Sequence, residues 1–496
     1  MLALKALGRY HEALASFRAA TRHQPDEVWH WYNLTELLVD MLRYSDALHP
    51  AQQAVRCDPN HAFSQAKLGQ VLRHLDREQE ALAAYEKAIA IQPDYHWALN
   101  GKGIVLERLG RYDEALAAYQ EAAKHADSYI WHCWYNQGNV LVLMGRHREA
   151  VPLLQQVIDT VPTHAQSWAR MGTAYRNLKR YDDALRVLRH ATELDPDYAW
   201  AWNEQGLTLE AMGKLDEALR AFRKAVAAAP HDVNFLYQQA DVHIQLGDYL
   251  PALDLLEQAM SRESGSARLW AKHGQALRRL NRFEEALKSY TRAVELDPQY
   301  GWAWNGRGLA LAELNRSEAA LESFRKASAC DSGDAWYWYN QGNELVRLER
   351  FDESLEPLDQ AIKLNPRHTE SHAKRGQALR RLGQFEEALA SYDRALAINP
   401  RYAWAWQGRG IALEALSRRE EALASYERAT EEDPRIVWYY ANQIELLLDM
   451  NQLDEAMDVA NRAMLMLPKN PVSWARRGQV LRRRGEHQAS VESYQR

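Results

Sequence analysis

Apolar and small residues recur along the chain at spacings of three, four and seven, interrupted at regular intervals by short polar stretches. Residues 165–198 show one cycle: Trp168, Gly172, Tyr175, Tyr181, Ala184, Leu188, Ala191 and Pro196. These spacings hold side chains on one face of a helix, and the polar stretch Lys179-Arg180-Tyr181-Asp182 divides the cycle into two helices. Asp182 is placed to cap the second helix and Pro196 to end it. Gly172 and Ala184 are small enough for the two helices to approach closely. Pro25, Pro59, Pro93, Pro162, Pro196, Pro230, Pro298, Pro366, Pro400, Pro434 and Pro468 stand 34 or 68 residues apart, with one step of 69. The period is therefore 34, with a single one-residue insertion. Asp127, Ser264 and Ser332 fill the marker position where proline is absent. With the marker as unit position 32, the eight residues above occupy positions 4, 8, 11, 17, 20, 24, 27 and 32.

This pattern resembles the tetratricopeptide repeat, a helix–turn–helix unit. Gly-Arg-Tyr-Asp-Glu-Ala-Leu at 110–116 and Phe-Glu-Glu-Ala-Leu at 385–389 are typical of it. The resemblance implies an all-α fold, a right-handed α–α superhelix (solenoid) of about 15 units, 13 of them complete. The expected organisation is one continuous array over 1–496, with a partial unit 1–27, complete units 28–470 and a partial unit 471–496. Met1 falls at position 8 and Arg496 at position 26, each inside a helix. Solenoids need polar caps, so the chain is expected to be a piece of a longer array.

The units are of three types that recur in order, a super-repeat of about 102 residues. The first opens Tyr-x-Trp-Ala-Trp, as at Tyr198, Trp200 and Trp202. The second reads Trp-x-Trp-Tyr-Asn, as at Trp336, Trp338, Tyr339 and Asn340. The third is basic, with Gly-Gln-Ala-Leu-Arg-Arg at 274–279 and 376–381. On a helix, positions 2, 5, 6, 9, 12 and 13 form one stripe, and 4, 8 and 11 form another. By resemblance the first stripe lines a concave ligand groove.

Three rows occupy that stripe. Position 2 carries Trp29, Trp97, Trp200, Trp302, Trp336, Trp404 and Trp438. Amides follow, with Asn33, Asn136, Asn340 and Asn442 at position 6 of the second type and Asn100, Asn203 and Asn305 at position 5 of the first. An amide side chain both donates to and accepts from a peptide backbone. The third type contributes cations: Lys67, Arg170, Lys272 and Lys374 at position 6, and Arg73, Arg176, Arg278 and Arg380 at position 12. The nine tryptophans at position 4, among them Trp304, are expected in the core.

Composition narrows the function. The 496 residues are 47% apolar and 26% charged with a net charge of −6, too apolar for disorder and too evenly charged for a basic nucleic-acid binder. There are 17 Trp against 8 Phe, and all 17 fall at positions 1 to 4 of their units. Cys57, Cys133 and Cys330 lie far apart, which argues against a disulfide framework or a zinc site. No signal peptide or spanning segment is read, so a cytoplasmic location is expected. Glycine pairs such as Gly306 and Gly308 sit inside helices rather than in a phosphate loop, and no catalytic constellation stands out. His368 and His372 lack the glutamate of a zinc-peptidase helix. Pro50, Pro152, Pro251 and Pro357 are expected to bend second helices or displace their starts.

The reading that follows is a non-enzymatic scaffold without cofactor or metal. It would hold an extended or helical, acidic polypeptide in the groove, against tryptophans, amides and cations. The alternative is the sensor or substrate-selecting arm of a larger multidomain enzyme or signalling protein. No membrane partner is expected. Single-stranded nucleic acid is disfavoured by the charge and by the lack of a two-residue code per unit. Self-association through uncapped ends is a further expectation.

Overall fold

The computed structural model describes residues 2–126 and 130–496; the marker Asp127 lies outside them. Among the described residues there are thirty α-helices and no strand, so the fold is an all-α repeat array. A first helix of about thirteen residues (Ala199–Ala211) turns into a second of fourteen (Leu215–Ala228), and the pair recurs along the chain. The chain forms two compact units, 1–247 and 248–496.

The small residues do what their spacing predicts. Gly308 lies against the ring of Phe324 on the paired helix, and a Cβ there would come within 2.5 Å of it. Ala184, Ala218, Ala286, Ala320 and Ala388, all at position 20, are completely buried. Close helix contact is therefore built from a small residue on each partner, with a large side chain at position 24 filling the space beside them.

Helix starts differ from the expectation. The second helix of 165–198 begins at Tyr181 with Arg180 as its cap residue, and no side chain caps it. Asp182 is one residue too far along. Instead an arginine at position 16 pairs with the acid three residues on, as in Arg77–Glu80, Arg111–Glu114, Arg282–Glu285 and Arg418–Glu421. Each acid lies in the first turn, where the helix dipole favours it. The helices containing Pro50, Pro152 and Pro357 run through those residues unbroken, and Pro251 sits in a first turn where no N–H is needed.

The tryptophans at position 4 stand at the edge of the core rather than inside it, Trp31, Trp168 and Trp406 packing against buried clusters. They are half-buried, and among the described residues eight of the nine indole N–H groups reach back to the carbonyl at position 32 of the preceding repeat, as in Trp202 to Pro196 (2.8 Å), Trp304 to Pro298 (3.0 Å) and Trp406 to Pro400 (2.8 Å). Where tryptophan is missing, Gln65 donates to the Pro59 carbonyl (2.9 Å) and His372 to that of Pro366 (3.0 Å). Where position 4 is Trp, Gln65 or His372, its donor thus ties one repeat to the last, whereas Leu99 and Leu236 at the same position cannot. This also accounts for His372 without a metal.

Candidate functional site

Within each unit, successive first helices pack on one another: Val28–Asp40 on Ala62–His74, Ala165–Asn177 on Ala199–Ala211, and Ala335–Arg347 on Thr369–Arg381. Among the described residues no second helix packs on the next second helix to that degree. The first helices therefore form the inner side of each unit, and their stripe of positions 2, 5 and 6 forms one face.

The position-2 tryptophans divide by repeat type. Trp29, Trp336 and Trp438, all in second-type repeats, are 48%, 55% and 57% exposed. Trp97, Trp200, Trp302 and Trp404, in first-type repeats, are half-buried. Trp97, Trp302 and Trp404 meet Tyr85, Tyr290 and Tyr392 of the preceding repeat edge-on, with centroids 6.3–6.4 Å apart. All four lie beneath the position-6 cation of the preceding third-type repeat: Lys67 over Trp97 (5.1 Å), Arg170 over Trp200 (4.3 Å), Lys272 over Trp302 (5.3 Å), Lys374 over Trp404 (4.9 Å). Aromatic faces and cations expected side by side are thus stacked, which fixes the cation against the ring. Burial lowers the pKa of the Lys374 ammonium.

The amide rows meet. Asn136 donates to Asn100 Oδ1 (2.8 Å), and Asn340 donates to Asn305 Oδ1 (2.8 Å). Asn33 and Asn442 are half-buried on the same stripe. Asn203 is 8% exposed, so little of it can reach a ligand.

The position-12 arginines turn partly inward. Arg73, Arg278 and Arg380 lie against the buried hydroxyls of Tyr85, Tyr290 and Tyr392, and their Nε atoms are shut off from solvent. Burial pushes Tyr85 and Tyr290 up to about 12, with the arginine acting in the opposite direction. Arg176 instead pairs with Glu204 (3.1 Å), which also accepts from Thr173 (2.9 Å).

That exception shows an exchange between repeats. Where position 24 of the third-type repeat is Tyr85, Tyr290 or Tyr392, position 6 of the next repeat is Gly101, Gly306 or Gly408, and a Cβ there would come within 2.3–2.4 Å of the tyrosine ring. Where the tyrosine is replaced by Leu188, the glycine is replaced by Glu204. The carboxylate takes the role of the hydroxyl beside the arginine.

A histidine cluster was not foreseen from the sequence. His61, His164 and His368, at position 34 of second-type repeats, each meet a tryptophan and a tyrosine edge-on: Trp29 (4.7 Å) and Tyr32 (6.1 Å), Trp131 (5.2 Å) and Tyr135 (4.9 Å), Trp336 (4.6 Å) and Tyr339 (4.9 Å). Each Nδ1 contacts a serine of the next repeat: Ser64 (2.7 Å), Ser167 (2.8 Å), Ser371 (2.6 Å). Burial lowers the pKa of all three histidines. The signal was available: a His–x–x–Ser spacing at the same three unit boundaries.

Among the described residues no group of three or more His, Cys, Asp or Glu could hold a metal ion, and no helix is long and apolar enough to cross a membrane.

Comparison with known proteins agrees with the architecture. Profiles of the tetratricopeptide repeat match residues 2–62, 32–96, 271–335 and 339–403, then 94–163, then 141–203 and 379–442, then 187–220. The chain belongs to the tetratricopeptide repeat family and, as an array of that family, is a protein-interaction scaffold. A profile described as anaphase-promoting complex, cyclosome, subunit 3 matches 211–293. No curated protein matches the sequence. Similar solved structures include the APC/C hetero-tetramer Cut9-Hcn1 (13% identity over 91% of this chain and 96% of that one, TM-score 0.48). Others are YrrB, described as a TPR protein with an unusual peptide-binding site (24%, 38% and 95%, TM-score 0.32), and the MamA protein (22%, 34% and 92%, TM-score 0.32).

Proposed function

We propose that the inner face of the first helices holds an extended, acidic polypeptide, and that the protein works as a non-enzymatic scaffold. The observation that carries this reading is the exposure of Trp29, Trp336 and Trp438 in an array that half-buries its other inner-face indoles. Large exposed rings on a defined face mark interaction surfaces, and tryptophan is among the residues that most often dominate binding energy. Asn33, Asn340 and Asn442 lie four positions beyond these rings, one turn along the same helices. The acidic preference rests on the position-6 cations. Lys374 faces Trp404 and Gln377, and among the described residues no carboxylate pairs with it. Lys67, by contrast, lies 3.8 Å from Glu36.

Labelled acidic and basic peptides of equal length, titrated by fluorescence anisotropy, test the reading. The acidic peptide is expected to bind more tightly and to weaken as salt rises. Trp336→Ser should cost about 2 kcal/mol, roughly thirty-fold in affinity. Equal binding of both peptides, or binding untouched by Trp29→Ser and Trp336→Ser together, would overturn it.

A further inference from the structure

We infer that Glu370 and Trp336 form a receptor for one arginine side chain of the bound polypeptide, so that a ligand acidic overall carries an arginine at this place. This deepens the reading above and rests on it. At three boundaries between second- and third-type repeats the frame is the same: a tryptophan, a tyrosine and a histidine meet edge-on. Two residues beyond each histidine, position 2 of the third type holds Phe63, Gln166 or Glu370. Only the frame of Trp336, Tyr339 and His368 therefore carries a charged residue at that place.

His368 stands between the two groups of the receptor. Its ring lies 4.6 Å from that of Trp336, and its Nε2 lies 3.4 Å from Glu370 Oε2. Burial lowers the His368 pKa, so the imidazole is uncharged near neutral pH and does not cancel the carboxylate. Among the described residues no lysine or arginine pairs with Glu370, and its side chain is 48% exposed. Lys374, one turn further along the same helix, turns away to Trp404 and Gln377. Burial raises the pKa of Tyr339 and of Tyr402, and the Glu370 charge adds to the rise in both. The carboxylate thus acts on a surface walled by aromatic rings, of which the Trp336 indole is the open one.

A carboxylate beside an open indole is the complement of a guanidinium. The planar fork donates two N–H bonds to the carboxylate while its flat face lies on the indole. An apolar side chain would desolvate Glu370 without giving it a partner, and an acidic one would be repelled. The helix Thr369–Arg381 then offers Glu370 to a base and Lys374 to an acid, about 5.4 Å apart along its axis. The arginine of the ligand is therefore a near neighbour of one of its acidic residues.

Anisotropy titrations of the whole chain test this with acidic peptides that differ at one position, walked along the sequence. That position holds arginine or citrulline, which has the same shape without the charge. At one register the arginine peptide is expected to bind about ten-fold more tightly than its citrulline counterpart. In Glu370→Gln that ratio should fall to about one. Gln166 fills the same place in the frame of His164, so the variant is expected to fold, and thermal unfolding checks it. Arginine and citrulline peptides that bind alike at every position would overturn the receptor while leaving the acidic-peptide scaffold intact. So would an arginine gain that survives Glu370→Gln. No binding of any of the peptides by the wild-type chain would overturn both.

Discussion

At the residue scale, the turn between the two helices of each repeat demands a left-handed residue at position 15. Gly110, Gly145, Gly213 and Gly383 supply it freely, whereas Leu42 (φ 58°), Lys179 (φ 61°) and Glu349 (φ 59°) adopt it under strain. Leu42→Gly and Glu349→Gly should each stabilise the array by about 0.5–1 kcal/mol, the strain relieved less the greater freedom of glycine in the unfolded chain. Denaturant unfolding of each variant measures this; a loss of stability would show that the turn is unstrained. The exchange of Tyr and Gly for Leu188 and Glu204 gives a second test. Gly306→Glu alone should destabilise by about 3 kcal/mol through overpacking and an unmatched carboxylate. Adding Tyr290→Leu should recover at least about 1 kcal/mol, because the carboxylate can then reach Arg278. Additive effects in that double-mutant cycle would contradict the exchange.

The same scale shows where the sequence was readable. Period, helix spacing and the small residues at positions 8 and 20 follow from local geometry, so they were plain. The role of tryptophan at position 4 was not, because a ring at helical spacing suggests burial. Only the structure shows that its N–H is the working part, and that Gln65 and His372 can stand in for it.

At the scale of the element, most first helices are fastened to the preceding turn by that donor, as Trp202, Trp304 and Trp406 show. Trp304→Phe keeps a ring but leaves the Pro298 carbonyl without its partner, and should cost about 1 kcal/mol in thermal or denaturant unfolding. The histidine cluster makes the second-type repeats sensitive to acid. His61, His164 and His368 have pKa values lowered by burial from the ordinary 6.5, with Glu370 opposing and His372 adding to the effect at His368. The unfolded chain therefore binds more protons than the folded one as pH falls through 6.5. Stability should be fully present above that value and decline below it, and His368→Gln should flatten the decline. A pH-independent midpoint between pH 7 and about 5 would exclude this linkage. The cluster went unread in the sequence because its members are 29 to 33 residues apart and meet only when one repeat stacks on the next.

At the scale of the molecule, two sets of rings divide the labour. First-type tryptophans hold repeats together under a cation, and second-type tryptophans are left to solvent. The three-type order was legible as sequence, but which type exposes its ring was not, since both place tryptophan at position 2. The cation rows were legible as charge, whereas their seating on tryptophan faces, and the inward turn of Arg278 and Arg380, depend on neighbouring repeats. Arg278→Gln should therefore lower stability by about 1 kcal/mol through loss of its contact with Tyr290, whereas Lys374→Gln should act mainly on peptide affinity. Comparing unfolding midpoints with binding isotherms for the two variants separates these roles.

The most direct test is site-specific photocross-linking to the acidic peptide. A photoreactive phenylalanine replaces Trp336 on the inner face in one variant and Glu322, on a second helix, in another. Cross-linking from position 336 and none from 322, competed away by unlabelled peptide, is the predicted result. Cross-linking from 322 with none from 336 would contradict the assignment of the inner face as the binding surface.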